Sequence, residues 1–199
     1  MEPTTDNSTR PTVDPELLRR YRIYNPSLFI TPLKPGTTIP LLIGKEDSVR
    51  RARDWSQSEW PEGANVGIAT GSQNHLIVVS ATNAKAVKRF FNTTIDECCT
   101  SPYAVATDNE VQFYFRTRID RAPASCRLES LNAQGIDVHG EGRFVPGAGS
   151  ILNGSECKTL LDATLELPNV PEPSRRLADL LGLAELSAHP AYKPRLRML

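Results

Sequence analysis

Asn65-Val66-Gly67-Ile68-Ala69-Thr70-Gly71, the polar link Ser72 to His75, and Leu76-Ile77-Val78-Val79-Ser80-Ala81-Thr82 form the stretch whose reading decides the fold. Residues 65–70 read as a strand closed by Gly71. Residues 76–79 are a continuous apolar run, rich in β-branched side chains and bounded by turn signals, which predicts a buried strand. The next residues, NAKAVKRFF from Asn83 to Phe91, predict a helix. Strand, turn, strand and then helix is an α+β opening rather than a doubly wound repeat. No G-x-G-x-x-G run opens a helix, so dinucleotide binding gains no support.

Upstream, Asp14 is placed to cap a helix, with Pro15 at its first position and the run ELLRRYRIY at helical spacing. Pro26 limits the far end of that helix. Ser27 to Leu33 reads as a strand leading into the turn Lys34-Pro35-Gly36. Ser48 is placed to cap a second helix, SVRRARDWSQ, with Trp55 and Trp60 packing behind it and Arg50, Arg51 and Arg53 on a solvated face.

Downstream, Tyr103–Ala106 and Val111–Arg116 predict a hairpin across Thr107-Asp108-Asn109-Glu110. Gly135–Val138 predicts a further strand, followed by a loop crowded with Gly140, Gly142, Gly147 and Gly149. Ser174 is placed to cap a last helix, ahead of the basic tail YKPRLRML. The expected organisation is a disordered tail over 1–13, one domain over 14–165, and a C-terminal helix with a basic tail over 166–199.

The 199 residues carry 23 basic and 23 acidic side chains, so no net field draws the chain to nucleic acid or membrane. A nucleic-acid role would need a local basic stripe. The N-terminus has no apolar core of the kind a secretory signal needs, and no apolar run approaches the roughly 18 residues of a membrane span. A cytoplasmic protein is expected, with no membrane partner. Cys98, Cys99, Cys126 and Cys157 make no C-x-x-C pair and read as reduced, partly buried thiols rather than a zinc ribbon.

Several runs then fall into one order: Asn65–Gly71, Leu76–Thr82, Val111-Gln112-Phe113-Tyr114-Phe115-Arg116, Gly135-Ile136-Asp137-Val138-His139-Gly140, and Pro146 with Ser150. In that order the chain resembles the N-terminal primase–polymerase domain of bifunctional replication proteins, within the archaeo-eukaryotic primase superfamily, from about residue 17 to about residue 160. The resemblance implies an α+β fold derived from an RRM-like unit. It would have mixed or antiparallel sheets and flanking helices around a central cleft.

The resemblance also implies a chemistry. The strand matching Leu76–Thr82 would end in two acids one residue apart, which strand alternation puts on one side. A third acid would come from the strand carrying G-I-D, and a histidine from the hairpin. Magnesium ions shared by these acids would bind substrate phosphates and support in-line attack of a 3′ hydroxyl on the α-phosphate. This chain has Ser80 and Thr82 at the paired-acid positions and Gln112 at the histidine position, leaving Asp137 as the matching metal ligand. The resemblance thus implies a residual, weakly metal-binding Asp137 and a nucleotide contact set of Gln112, His139, Arg143 and Ser150. Asp108 and Glu110 read as solvated turn acids that could swing toward the site.

Magnesium or manganese is the implied cofactor, if any. Implied partners are single-stranded or primed DNA, a nucleoside triphosphate, and a replicative helicase or other protein of a replication module. Three functions stand side by side. They are a catalytically impaired binding or regulatory member of the group, a working primase or polymerase with an altered metal site, and a structural interaction domain.

Overall fold

The computed structural model describes residues 16–41, 49–82, 85–86, 103–117 and 135–159. Helix α1 (Leu17–Tyr24) is followed by β1 (Phe29–Leu33), β2 (Arg50–Arg51), β3 (Asn65–Ala69) and β4 (Leu76–Ala81). Then come β5 (Ala104–Ala106), β6 (Val111–Arg116), β7 (Ile136–His139), β8 (Phe144–Pro146), β9 (Ile151–Leu152), β10 (Ser155–Glu156) and β11 (Lys158–Thr159). One sheet has the order β2-β1-β3-β8, another the order β11-β5-β6-β4-β7, and β9 pairs with β10. All the ladder pairings between these strands are antiparallel. The α+β reading therefore holds, with antiparallel sheets.

β4 lies between β6 and β7, and every one of its residues is buried. That burial on both faces is why residues 76–79 read as a continuous apolar run instead of an alternating one. Val78 on β4, Val105 on β5 and Tyr114 on β6 share one core with Ile30, Val66, Ile68 and Val145 of the other sheet. Leu17, Leu18 and Tyr21 of α1 join that core.

Glycine sets how closely α1 can sit. A Cβ at Gly147 would collide with the hydroxyl of Tyr21, which donates to the Ala148 carbonyl at 3.1 Å. Gly71 is held at φ 92°, and a Cβ there would strike the backbone of Glu141. Both constraints explain glycine where the sequence showed only turns.

The second helix is replaced. Arg50–Arg51 form β2, and Ala52–Asp54 form a single 3-10 turn. Tertiary partners account for the change. Arg51 pairs with Phe29 and Arg50 with Ile30, and the Ala52 N–H donates to the Leu28 carbonyl at 2.7 Å. The Arg50 guanidinium lies 3.8 Å from the Trp55 ring centroid and reaches Glu59, while Arg51 sits over Phe29 and Arg53 beside Asp54. The three arginines therefore cover apolar rings or pair with acids. Trp55 is buried as expected, with Trp60 edge-on against it at 5.1 Å.

α1 begins at Leu17, with Glu16 before it. The expected cap at Asp14-Pro15, the tail over 1–13, Ser48, Cys98, Cys99, Cys126 and everything from residue 160 on lie outside the described residues. So does the NAKAVKRFF helix, apart from Lys85 and Ala86, which are helical.

Replacing Gly147 by alanine should destabilise the fold by about 2 kcal/mol through overpacking against Tyr21. Tyr21→Phe alone should cost about 1 kcal/mol for the lost hydrogen bond. The double variant should cost less than the sum, because the colliding oxygen is gone. Urea midpoints of the three variants measure this.

Candidate functional site

The register of three strands builds the site. Ser80 on β4 lies directly opposite Gln112 on β6 and directly opposite Asp137 on β7. Directly opposed residues share a face, so the three side chains form one row across the sheet. Alternation adds His139, opposite Val78, and Thr82 at the end of β4. Along β4 this face runs from Val78 in the core, through buried Ser80, to exposed Thr82. The polar row thus begins where the core shared by the two sheets gives out.

Hydrogen bonds satisfy the deeper members of the row. Ser80 is fully buried, and its hydroxyl lies 2.9 Å from His139 Nε2. Gln112 is also fully buried; its amide donates to Glu110 Oε1 at 2.7 Å and accepts from the Tyr114 hydroxyl at 3.1 Å. Asp137 is half-buried, and its Oδ1 accepts the N–H of Val138 at 2.9 Å. Thr82 donates to the Gly135 carbonyl at 3.2 Å. Among the described residues, Tyr103 Oη is the buried side-chain polar atom left without a partner, so neither Ser80 nor Gln112 is waiting for one.

Glu110 is the residue underestimated in the sequence. It is half-buried beside the row and shares a face with Gln112 and Tyr114. The alternation of 110, 112 and 114 was the signal for this, masked by the turn composition around it. Asp108, two residues earlier, is exposed.

Arg143 and Ser150 separate from the row in different ways. Arg143 is exposed, and its carbonyl accepts from the backbone and hydroxyl of Thr70. Its guanidinium is near enough to disfavour protonation of His139. Ser150 is fully buried, with its hydroxyl accepting from the Val66 N–H and donating to the Val66 carbonyl, both at 3.2 Å. Asn65 makes a matching two-point clasp on the backbone of Ile151. Ser150 and Asn65 therefore pin the 150–151 segment to β3.

A cleft of about 520 Å³ opens beside the row. Gln112, His139 and Glu110 line it, facing Gly36–Ile39 of the turn after β1 and Phe144–Pro146 of β8. Its size falls in the range of small-molecule sites.

Among the described residues the donor set does not fit a pair of catalytic cations. Among the described residues no group of three or more histidine, cysteine or acidic side chains is arranged to hold a metal. The row carries one carboxylate, Asp137; Glu110 beside it accepts from Gln112, and the Ser80 hydroxyl is buried against an imidazole. Magnesium sites normally use one or two carboxylates together with substrate phosphate and water.

Burial lowers the pKa of His139; Glu110 and Asp137 oppose this, and Arg143 adds to it. Cys157, buried and unpaired, has its thiol pushed up to about 12 by burial and by Glu110 and Glu156, in keeping with an inert core thiol. For His139 the sign is fixed: the unfolded side chain takes up a proton near pH 6.5, the folded one at lower pH. Its contribution to stability is complete above about pH 6.5 and is lost as pH falls through the folded value. Thermal unfolding midpoints should accordingly decline below about pH 6.5, and His139→Gln should flatten the decline before the carboxylates titrate.

Among the described residues no helix is long and apolar enough to cross a membrane. No curated protein matches the chain. Residues 5–173 match the family described as bifunctional DNA primase/polymerase, N-terminal, which is most of the 199-residue sequence. With that match standing beside the paired strands and their polar row, the chain belongs to the Prim-Pol family of bifunctional DNA primase/polymerase N-terminal domains.

Proposed function

We propose that this Prim-Pol domain has given up nucleotidyl transfer and serves a replication module by binding nucleic acid or nucleotide. The observation that carries the reading is the state of Ser80 and Gln112. Both are fully buried, and both are hydrogen-bonded within the protein. A buried catalytic metal site leaves carboxylates that need a cation to offset their burial. This row needs none: hydroxyl meets imidazole, and amide bridges carboxylate to phenol. Asp137 retains the capacity for one weakly held magnesium or manganese ion delivered with a nucleotide. Single-stranded or primed DNA, a nucleoside triphosphate and a replicative helicase are the partners that suit such a role.

The test is primer synthesis and extension by the full chain with magnesium or manganese, run beside single-stranded DNA binding across a salt series. No extension, with affinity falling as salt rises, is the expected result. Extension abolished by Asp137→Asn would instead establish a working enzyme. Absence of both extension and binding would leave an interaction domain.

A second measurement checks the placement of the lost acids. The triple variant Ser80→Asp, Thr82→Asp and Gln112→His should gain nucleotide-dependent manganese binding. Its new carboxylate at position 80 would face His139 and raise that imidazole's pKa, which proton NMR can follow.

A further inference from the structure

A second cavity, of about 390 Å³, lies at the opposite end of β4 from the polar row. Among the described residues it shares none of its lining with the cleft, so what it holds does not depend on the nucleotide reading. Its walls are the segment 25–28, between α1 and β1, and the turn 73–76 that enters β4. Arg116, the last residue of β6 and the register partner of Leu76, completes the lining. Hydrogen bonds fix the walls to one another. The Asn74 side chain accepts the Phe29 N–H at 2.8 Å and donates to the carbonyls of Phe29 at 2.9 Å and Ala69 at 2.8 Å. Gly71 and Leu76 exchange backbone hydrogen bonds across the turn, and the His75 carbonyl accepts the Thr117 N–H at 2.7 Å. A site held this way loses little binding free energy to ordering. His75 is kept at φ 53°, in the left-handed region that disfavours a residue with a Cβ and that glycine would occupy freely. Such strain, imposed by the surrounding bonds, puts an imidazole at the cavity where a plain turn would have glycine.

The lining has two kinds of chemistry. Buried Leu76 and half-buried Leu28 give apolar surface. The exposed side chains of Arg116, His75 and Gln73 give donors, with the Ser27 hydroxyl beside them. Among the described residues Arg116 makes no ion pair, so its guanidinium fork is available to an oxyanion. We infer that this cavity is a second binding site, for a compact organic oxyanion. The anionic group meets Arg116 and His75, and the apolar body lies against Leu28 and Leu76. A carboxylate and a phosphate ester share that chemistry.

Amide NMR titration of the full chain with benzoate, phenyl phosphate and the uncharged benzamide tests this. At least one of the two anions should shift the amides of 25–28 and 73–76, and the tighter of the two names the anionic group. Benzamide should bind about tenfold more weakly than that anion, the worth of one charge-assisted hydrogen bond. Arg116→Gln, at an exposed side chain whose loss does not threaten folding, should weaken the anion by about tenfold as well. His75→Gly should weaken it by several-fold without lowering the urea midpoint, because glycine accepts the left-handed backbone. A merely structural His75 would show no loss of binding. Benzamide binding as tightly as both anions would overturn the inference. Anion binding indifferent to both Arg116→Gln and His75→Gly would overturn it too, as would the absence of shifts in both walls at about 10 mM of either anion.

Discussion

β4 is hydrogen-bonded along both edges, to β6 from Leu76 to Ala81 and to β7 from Val78 to Ala81, and the rest of the molecule depends on that register. A slip of one residue would send Val78 and Ser80 to the opposite face and bring Val79 and Ala81 to the core shared with the other sheet. The polar row exists because three strands agree on one pairing, Gln112 with Ser80 with Asp137. Two-sided burial makes that agreement rigid, since each face of β4 packs apolar side chains.

The chemistry of the row follows from the same burial. A carboxylate at position 80 would be a charge taken out of water, tolerable only with a cation or other opposite charge beside it. A serine there needs a single hydrogen bond, and His139 supplies the partner. Gln112 plays the corresponding part on β6, placed between the Glu110 carboxylate at the cleft and the Tyr114 phenol in the core. Burial drives the Tyr114 pKa upward, with Tyr103, Cys157 and Glu110 adding to it, so the phenol stays a donor. Ser80 and His139 thus meet directly, while Gln112 links the Glu110 carboxylate to the Tyr114 phenol.

The segment that follows β8 holds this arrangement in place. Ser150 and Asn65 tie it to β3, and the turn at Gly147–Ala148 receives Tyr21. Pro146, just before that turn, offers its carbonyl to Tyr114 on the other sheet. Residues that in sequence look like loop punctuation therefore couple α1, the two sheets and the wall of the cleft.

Local pattern was enough for β1 and β3 to β7, whereas β2 lies in a run with helical spacing and β8 to β11 follow a glycine-rich stretch with no strand pattern of its own. The apolar run at 76–79, the alternation at 111–116 and the turn residues between 106 and 111 are each legible from their own neighbours. What pattern could not show was partnership. Arg50 and Arg51 sit in a run with helical spacing, yet pairing with β1 and stacking on Trp55 and Phe29 draw them into a strand. Ser150, expected among the nucleotide contacts, spends its hydroxyl on the Val66 backbone, and Glu110 reads as a turn acid but turns inward to Gln112. By itself the sequence determined β1 and β3 to β7, their apolar faces and the residue types that stand at positions 80, 82 and 112, because those depend on neighbours along the chain. Only the tertiary structure decided which polar groups meet, because a hydrogen bond between residues 80 and 139 depends on strand register that no local period encodes.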